Sequence, residues 1–386
     1  MSDVRTFSDV PVMPFQALWD HDPQGGPVWP EFETQTVARF CRQHGVPVDV
    51  PPRMEPCRAE IAEDAIWGGY IHPHFGHLIS EHLTRILPSI HACPDHLVLF
   101  MTEEGQDPAT VPSFFYEILQ WYGLPRERIR IIAQPTMVRR LSVVPQGEVL
   151  WGKAPDASYL DLLDALPGRN NLRPRPDSIV YVGRMGLVTK GQGSHLGEGY
   201  LVRHLQDMGV TILDPARLGL REQLECYAGA KTLIFAEGST LHGRQLLGRV
   251  RQDVHVLKRR VRYLARPNMR PRVKRLNYVN TNGGTLRVRD RADKGFPHRN
   301  AVFYHTEALL ACFDTMGLNL RARWNQQAYI SAALDDAAQW EAAKPEDFVL
   351  SDQNVRVYFA EMSAAIEGIT SLPASFSASR SGALQN

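Results

Sequence analysis

The sequence predicts an α/β protein of two strand–helix domains facing a cleft, with extra segments at both ends. Three observations predict it. From Ser178 onward, short apolar runs alternate with stretches of helical spacing. The stretch before Gly168 alternates in the same way, less cleanly. Between them GRNNLRPRPD, Gly168 to Asp177, is rich in Arg, Asn and Pro and has no periodicity, as a linker would. The expected layout is a lead-in over 1–60, a first domain over 61–170, a second over 178–265, an α/β extension over 266–370 and a disordered tail over 371–386.

The elements follow in order. Residues 1–55 are rich in Pro and acidic groups and read as irregular, with one helix near Phe32 to His44. HLVLFM (His96–Met101), Arg128–Ile132 and Arg139–Val144 read as strands. VPSFFYEILQWY (Val111–Tyr122) and Asp156–Leu166 read as helices. In the second domain the strands are Ser178–Val182, Val210–Leu213, Lys231–Ala236 and His255–Leu257. The helices between them are Glu198–Met208, Leu220–Ala228 and one opening at Gly238 and running to about Leu247. The extension holds a strand at LNYVN, a Gly-Gly turn and a helix over His305–Met316. The Ser-rich end LPASFSASRSGALQN reads as disordered.

Composition narrows the class. A chain of 386 residues, 44% hydrophobic and 22% charged, is long enough and apolar enough for two or three ordinary cores. A net charge of +1 creates no global field for nucleic acid or membrane. The N-terminus lacks the pattern of a signal peptide, and no run of 18 apolar residues offers a membrane span. The five cysteines are scattered and form no C-x-x-C, which argues against a disulfide framework and for a reducing, cytoplasmic setting.

YIHPHFGHLISEHLTRILPS, residues 70–89, gathers His72, His74, His77 and His82 beside Glu81 and Arg85. Two chemistries compete there. His72, His74 and His77 approach the H-x-H-x-D-H pattern of metallo-β-lactamase-like hydrolases, with Gly76 where that pattern has Asp. Alternatively a helix from His77 to Pro88 places His77, Glu81 and Arg85 four apart on one face, toward a cleft or toward solvent. Gly76 permits close approach at the start of that helix. In the second domain Arg184 follows a strand end, where open α/β sheets bind ligands. The loop after it carries Lys190 with Gly186, Gly191, Gly193 and Gly197, which suits a diphosphate or an ordinary flexible loop. Glu237, Gly238, Ser239, Thr240, Leu241 and His242 form a strand-to-helix turn whose free N–H groups make an anion site of the same kind.

Three motifs in this order resemble glycosyltransferase family 61. The first is His74-Phe75-Gly76-His77-Leu78 with Glu81 and Arg85, where the family often has Asn at the position of His74. The second is Tyr181-Val182-Gly183-Arg184 before a polar loop and a helix that begins with an acid. The third is Glu237-Gly238-Ser239-Thr240-Leu241-His242, where many members carry His in place of Glu237. The resemblance spans roughly 65–250. It implies a GT-B-like pair of Rossmann-like domains, an inverting reaction, a nucleotide-sugar donor held by the C-terminal half and a glycan or other hydroxyl acceptor held by the N-terminal half. It also implies a role in surface polysaccharide biosynthesis and no bound metal or other cofactor. Arg184, Lys190, Glu237, Gly238, Ser239, Thr240 and His242 are then donor-binding candidates, with His77, Glu81 and Arg85 catalytic, and Arg85 expected to hold Glu81 ionised.

A metal-dependent hydrolase using His72, His74 and His77, and a non-catalytic glycan- or nucleotide-binding protein, are the alternatives. The basic run Arg249–Arg275 carries no nucleic-acid motif and reads as a solvated basic face, with room for peripheral contact with an anionic glycan or membrane.

Overall fold

Alternating apolar residues build two large sheets, which pack against a common layer of helices. The computed structural model describes residues 4–19, 22–42 and 45–350. The serine-rich C-terminal tail, the end of the expected helix at His44 and the last part of the extension lie outside the described residues.

The first sheet contains β1 (Arg5–Trp19), β2 (Asp22–Pro27), β3 (Ala59–Ile61), β4 (Ala65–Tyr70), β5 (Leu97–Met101), β6 (Ile129–Ile132) and β7 (Thr136–Val143). Its order is β2-β1-β7-β4-β5-β6, with β3 on β7. β4, β5 and β6 are parallel, and β7 returns to the other flank of β4.

The lead-in expected to be irregular is therefore part of the sheet. β1 pairs antiparallel with β7 and with β2. Its prolines hid it from a sequence reading, because proline is rare inside sheets. Here the register shifts between Met13 and Ala17, a bulge that accommodates Pro14, while Val10 and Val12 face the core. The helix expected near residue 32 is only a 3₁₀ turn, Phe32–Thr34.

The second sheet contains β8 (Asp177–Val182), β9 (Thr211–Leu213), β10 (Ala230–Ala236), β11 (Val250–Leu257) and β12 (Val273–Val279). All pairs are parallel, in the order β9-β8-β10-β11-β12. The sheet thus runs past residue 265 and takes its fifth strand from the expected extension. The Gly-Gly pair expected to turn lies inside a short strand, Asn282–Leu286.

The helices are α1 (Phe75–His77), α2 (Ile86–Ala92), α3 (Ser113–Tyr122), α4 (Ala157–Arg169), α5 (Glu198–Asp207), α6 (Leu220–Gly229), α7 (Thr240–Gly243), α8 (Arg266–Met269), α9 (Thr306–Asp314) and α10 (Gln326–Ala343). Among the described residues none is long and apolar enough to cross a membrane.

Both faces of the second sheet are buried, as a parallel sheet requires. Val180, Val182, Leu233, Phe235, Val254 and Val256 point one way, with α6 and α7. Tyr181, Ile234, Ala236 and Leu257 point the other way, toward α5, α9 and α10. The first of these layers continues into the first sheet. Ile66, Val98 and Phe100 belong to the same apolar cluster, bridged by Phe115, Ile118 and Leu119 of α3. Each fully buried Leu, Val or Phe contributes on the order of 1.5–3 kcal/mol, so this shared layer dominates the contact between lobes.

A polar lock crosses the same layer. Glu148, in the connection after β7, accepts from Arg272 Nη2 at 2.7 Å and Nη1 at 2.9 Å, and from Asn268 Nδ2 at 2.9 Å. Both charged side chains are essentially inaccessible, at 0% and 2%. Trp121 Nε1 donates across the lobes to Leu246 O at 3.0 Å.

Removing one partner of a buried ion pair leaves the other charge desolvated and alone. Arg272→Ala should lower unfolding free energy by about 3–5 kcal/mol. The double variant Arg272→Met/Glu148→Leu should recover most of that loss. Urea unfolding of both variants decides it, and an undiminished midpoint for Arg272→Ala would contradict the assignment of the lock.

Candidate active site

In the first sheet the chain runs outward from β4 through β5 to β6, then returns to the opposite flank of β4. In the second it runs from β8 to β9, then reverses to β10. Ligands of open α/β sheets bind at the carboxyl ends of strands flanking such reversals. The histidine segment follows β4, Arg184 follows β8, and Glu237-Gly238-Ser239 follows β10.

The histidine segment is not one helix. After the short α1, residues Leu78–His82 form a π turn, closed by Leu83 N–H donating to Leu78 O at 2.9 Å. Helix α2 then starts afresh at Ile86 and carries Pro88 in its first turn, where no intrahelical N–H is needed. The extra residue in the π turn ends the four-residue face after Glu81.

His77 and Glu81 do meet, with Nδ1 to Oε2 at 3.1 Å. Arg85 does not join them. It is buried and donates to Ala38 O at 3.0 Å and Arg39 O at 2.9 Å, which ties the lead-in to this segment. The cation expected from Arg85 comes instead from Arg42, whose Nη2 lies 3.2 Å from Glu81 Oε1. Nothing in the local sequence pointed to Arg42, which reaches the site only because the lead-in folds back.

Burial works to raise the Glu81 pKa, but the His77 hydrogen bond and the Arg42 charge outweigh it and hold the carboxyl at about 2. An ionised carboxylate only accepts, so the proton of that bond sits on His77 Nδ1. Nε2 of a neutral His77 is then an acceptor, on a ring that is 40% exposed. Within the cluster His77 is the ring paired with the carboxylate. His82 stacks on Phe40 at 4.7 Å, and burial lowers it to about 3. His72 accepts from the His74 backbone N–H at 2.9 Å and is lowered to about 4, first by burial and then by His77. Among the described residues no three His, Cys, Asp or Glu side chains converge as a metal would require. The hydrolase alternative therefore lacks the donor set that would carry it.

Across the lobes, Arg184 is fixed from three sides. Its backbone N–H donates to Glu198 Oε1 at 3.0 Å, its Nη2 donates to Gly193 O at 2.9 Å, and its guanidinium covers Gly238. A Cβ at residue 238 would fall 1.6 Å from Arg184 Nη1, so any larger residue there would displace the guanidinium. Glu198, the acid that opens α5, also accepts from Tyr181 Oη at 2.8 Å, and burial raises it to about 7.

Arg184, Lys190, Ser239 and Thr240 line one cavity of about 650 Å³, together with Phe75, Phe114 and Arg217. The Thr240 hydroxyl has no hydrogen-bond partner among the described residues.

Two expected donor contacts lie elsewhere. The Glu237 carboxylate is buried and taken up by the Arg259 and Arg260 backbone N–H groups and by Arg260 Nε at 3.0 Å. His242 is buried, bonds Gln245 Oε1 at 2.6 Å and is lowered to about 4, mainly by burial. The expected helix over 238–247 shrinks to the four residues of α7 and a 3₁₀ turn, because Arg244 turns inward to bond Gln252 and the Leu247 and Gly248 carbonyls. The loop after Arg184 is a 3₁₀ helix, Met185–Lys190, followed by glycines packed tightly on their neighbours: Gly191 meets Ala343 and Gly197 meets Tyr329.

The fold and site define a two-sheet α/β protein with a basic cavity at one strand reversal and a His–carboxylate pair at the other. Residues 75–244 match the family model described as Glycosyltransferase 61. The match begins at the first motif and closes just after the third, so this region of the chain matches the family that its motifs indicated. No curated protein matches the chain.

The buried histidines set an acid limit. The folded-state pKa of His82 and His242 lies below the ordinary 6.5, so their contribution is full above pH 6.5 and is lost as pH falls toward 4. Glu81 adds a loss between pH 4.5 and about 2. In a Glu198→Gln background, which removes the opposing titration of that raised carboxyl, the melting temperature should be level from pH 8 to 7 and fall steadily below 6.5. A thermal-shift series that stays level down to pH 4 would mean the histidines are not buried neutral.

Proposed function

We propose that the protein is an inverting glycosyltransferase, moving a sugar from a nucleotide-sugar donor to a hydroxyl of a glycan. The two lobes act as the halves of a GT-B-like pair, and the cavity at Arg184 takes the donor. Surface polysaccharide assembly is the setting that the family suggests.

One contact carries the reading. A Cβ at Gly76 would lie 3.0 Å from both Ser239 Cβ and His242 Cδ2, so the His77 turn and the wall of the Arg184 cavity touch. A base and a leaving-group site are thereby neighbours. Phe75 lines the cavity itself, one residue before Gly76.

In this reading His77 Nε2 removes the acceptor hydroxyl proton as that oxygen attacks the anomeric carbon. The bond from that carbon to the diphosphate breaks on the opposite face, which inverts the configuration. Glu81 steadies the imidazolium that forms, and Arg42 keeps Glu81 charged. Arg184 and Lys190 take up the negative charge of the departing diphosphate, helped by N–H groups of the 238–240 turn. Because α7 has only four residues, the two cations carry more of this work than a helix dipole would. No step calls on a metal, so chelator treatment should leave turnover unchanged.

The variants separate binding from chemistry. His77→Ala should lower kcat by about 10²–10⁴-fold, the usual worth of a general base, with nucleotide affinity kept. Arg184→Ala should weaken nucleoside diphosphate binding by roughly tenfold or more, the value of one charge-assisted contact. Calorimetry with UDP, GDP and ADP, beside turnover of the matching sugar donors, reads both. Undiminished affinity in Arg184→Ala, or full turnover in His77→Ala, would sink the mechanism.

A further inference from the structure

We propose that a second cavity, on the other side of the β10 turn, is the acceptor site, and that it takes a saccharide bearing carboxylate or phosphate groups. This rests on the transferase reading above and relocates the acceptor from the N-terminal half. The cavity measures about 660 Å³, within the size range of small-molecule sites. Glu237 lines it, while Ser239 and Thr240 line the first cavity, so the β10 turn is the wall between them.

Its charge is lopsided. Five arginines line it, at 259, 260, 262, 287 and 289, against the acids Glu237 and Asp293. Both acids are engaged: Glu237 holds Arg260 and the 259–260 backbone, and Asp293 pairs with Arg289 at 2.5 Å. The Arg259 guanidinium donates to the carbonyls of Pro297, His298 and Asn300. Two cations are left over. Arg262 is exposed, with the Trp151 ring 6.0 Å away as its contact, and Arg287 is exposed with no ion pair or side-chain hydrogen bond among the described residues.

Several other cations of the basic run are already engaged, while Arg251, Arg270 and Lys274 are exposed, as a solvated face would have them. Arg272 is in the lobe lock, Arg275 pairs with Asp253, and Arg249 pairs with Asp161 and Asp164. Lys258 and Arg266 lie over the Tyr263 ring. Arg262 and Arg287 differ from those exposed cations in lining a cavity.

Two more features fit a sugar. Trp151 and Phe296 line the same cavity, offering ring faces to a saccharide. Trp151 sits at a φ of 57°, a left-handed conformation that non-glycine residues rarely hold and that clusters at ligand sites. Its Nε1 has no hydrogen-bond partner among the described residues. Through Arg260 the cavity's charge is felt in the histidine cluster. His74 and His242 are both lowered, first by desolvation and then by neighbouring charges that include Arg260, a lining residue. A neutral glycan would leave Arg262 and Arg287 unpaired, whereas a carboxylate or phosphate can be gripped bidentately.

Calorimetry tests this with trigalacturonate, glucose 6-phosphate and maltotriose, on wild type and on Arg262→Ala/Arg287→Ala. UDP, GDP and ADP are titrated in parallel, and a thermal melt checks the fold of the variant. Trigalacturonate or glucose 6-phosphate should bind wild type, and whichever binds identifies the carboxylate or the phosphate as the recognised group. The double variant should bind it at least about tenfold more weakly, the worth of one charge-assisted contact, with nucleotide affinity unchanged. Equal affinity in the variant, equal binding of maltotriose, or binding only to phosphatidylglycerol vesicles would overturn the proposal. Nucleotide binding with no saccharide binding would overturn it and leave the transferase reading standing. Saccharide binding without any nucleotide response would overturn the transferase reading, and the acceptor assignment with it.

Discussion

The apolar layer shared by the two sheets, locked by Glu148 and Arg272, sets the distance between the two halves of the site. Val182 and Phe235 of one sheet and Phe100 of the other belong to one cluster, bridged by α3. Two lobes joined only by the 170–176 connection would be free to rotate apart. Here a dry interface and a desolvated ion pair hold them in one relation, because separating them would expose both at once. The consequence is local and sharp: the Gly76 turn rests on Ser239 and His242, each 3.0 Å from where a side chain would begin.

That packing explains the electrostatics. Arg184, Arg259 and Arg260 gather near a cluster rich in histidine, and burial keeps His82, His72 and His242 neutral. Had these imidazoles been charged, they would have repelled the cations that the cavity presents to an anion. At His77 the environment differs in its partner: the ring is part exposed and its Nδ1 meets a carboxylate held ionised. In Arg42, Glu81 and His77 a buried carboxylate lies between two partly exposed partners, with the acceptor nitrogen on the more open one.

Much of this was legible. Strand and helix alternation across 178–257 is strong, because strands buried on both faces are continuous apolar runs bounded by polar turns. Arg184, Ser239 and Thr240 were readable as neighbours around one cavity, because they follow strands whose ends must lie together in a parallel sheet. The lead-in was not legible, because Pro11 and Pro14 break the strand signature and a bulge restores it only in context. Nor was the fate of Arg85, since the π turn that rotates it away leaves no mark in a four-residue spacing.

By itself, then, the sequence determined the α/β class and the three motifs, and it offered His77, Glu81 and Arg184 as candidates, because those signals are local: periodicity, turn residues and strand ends. The tertiary structure alone decided which cation serves Glu81, that Glu237 and His242 support the site from inside, and that two leftover arginines face a second cavity. Those outcomes depend on long-range contacts, such as Arg42 to Glu81 and Glu148 to Arg272, whose partners are far apart in the chain and meet only when both sheets close on one core.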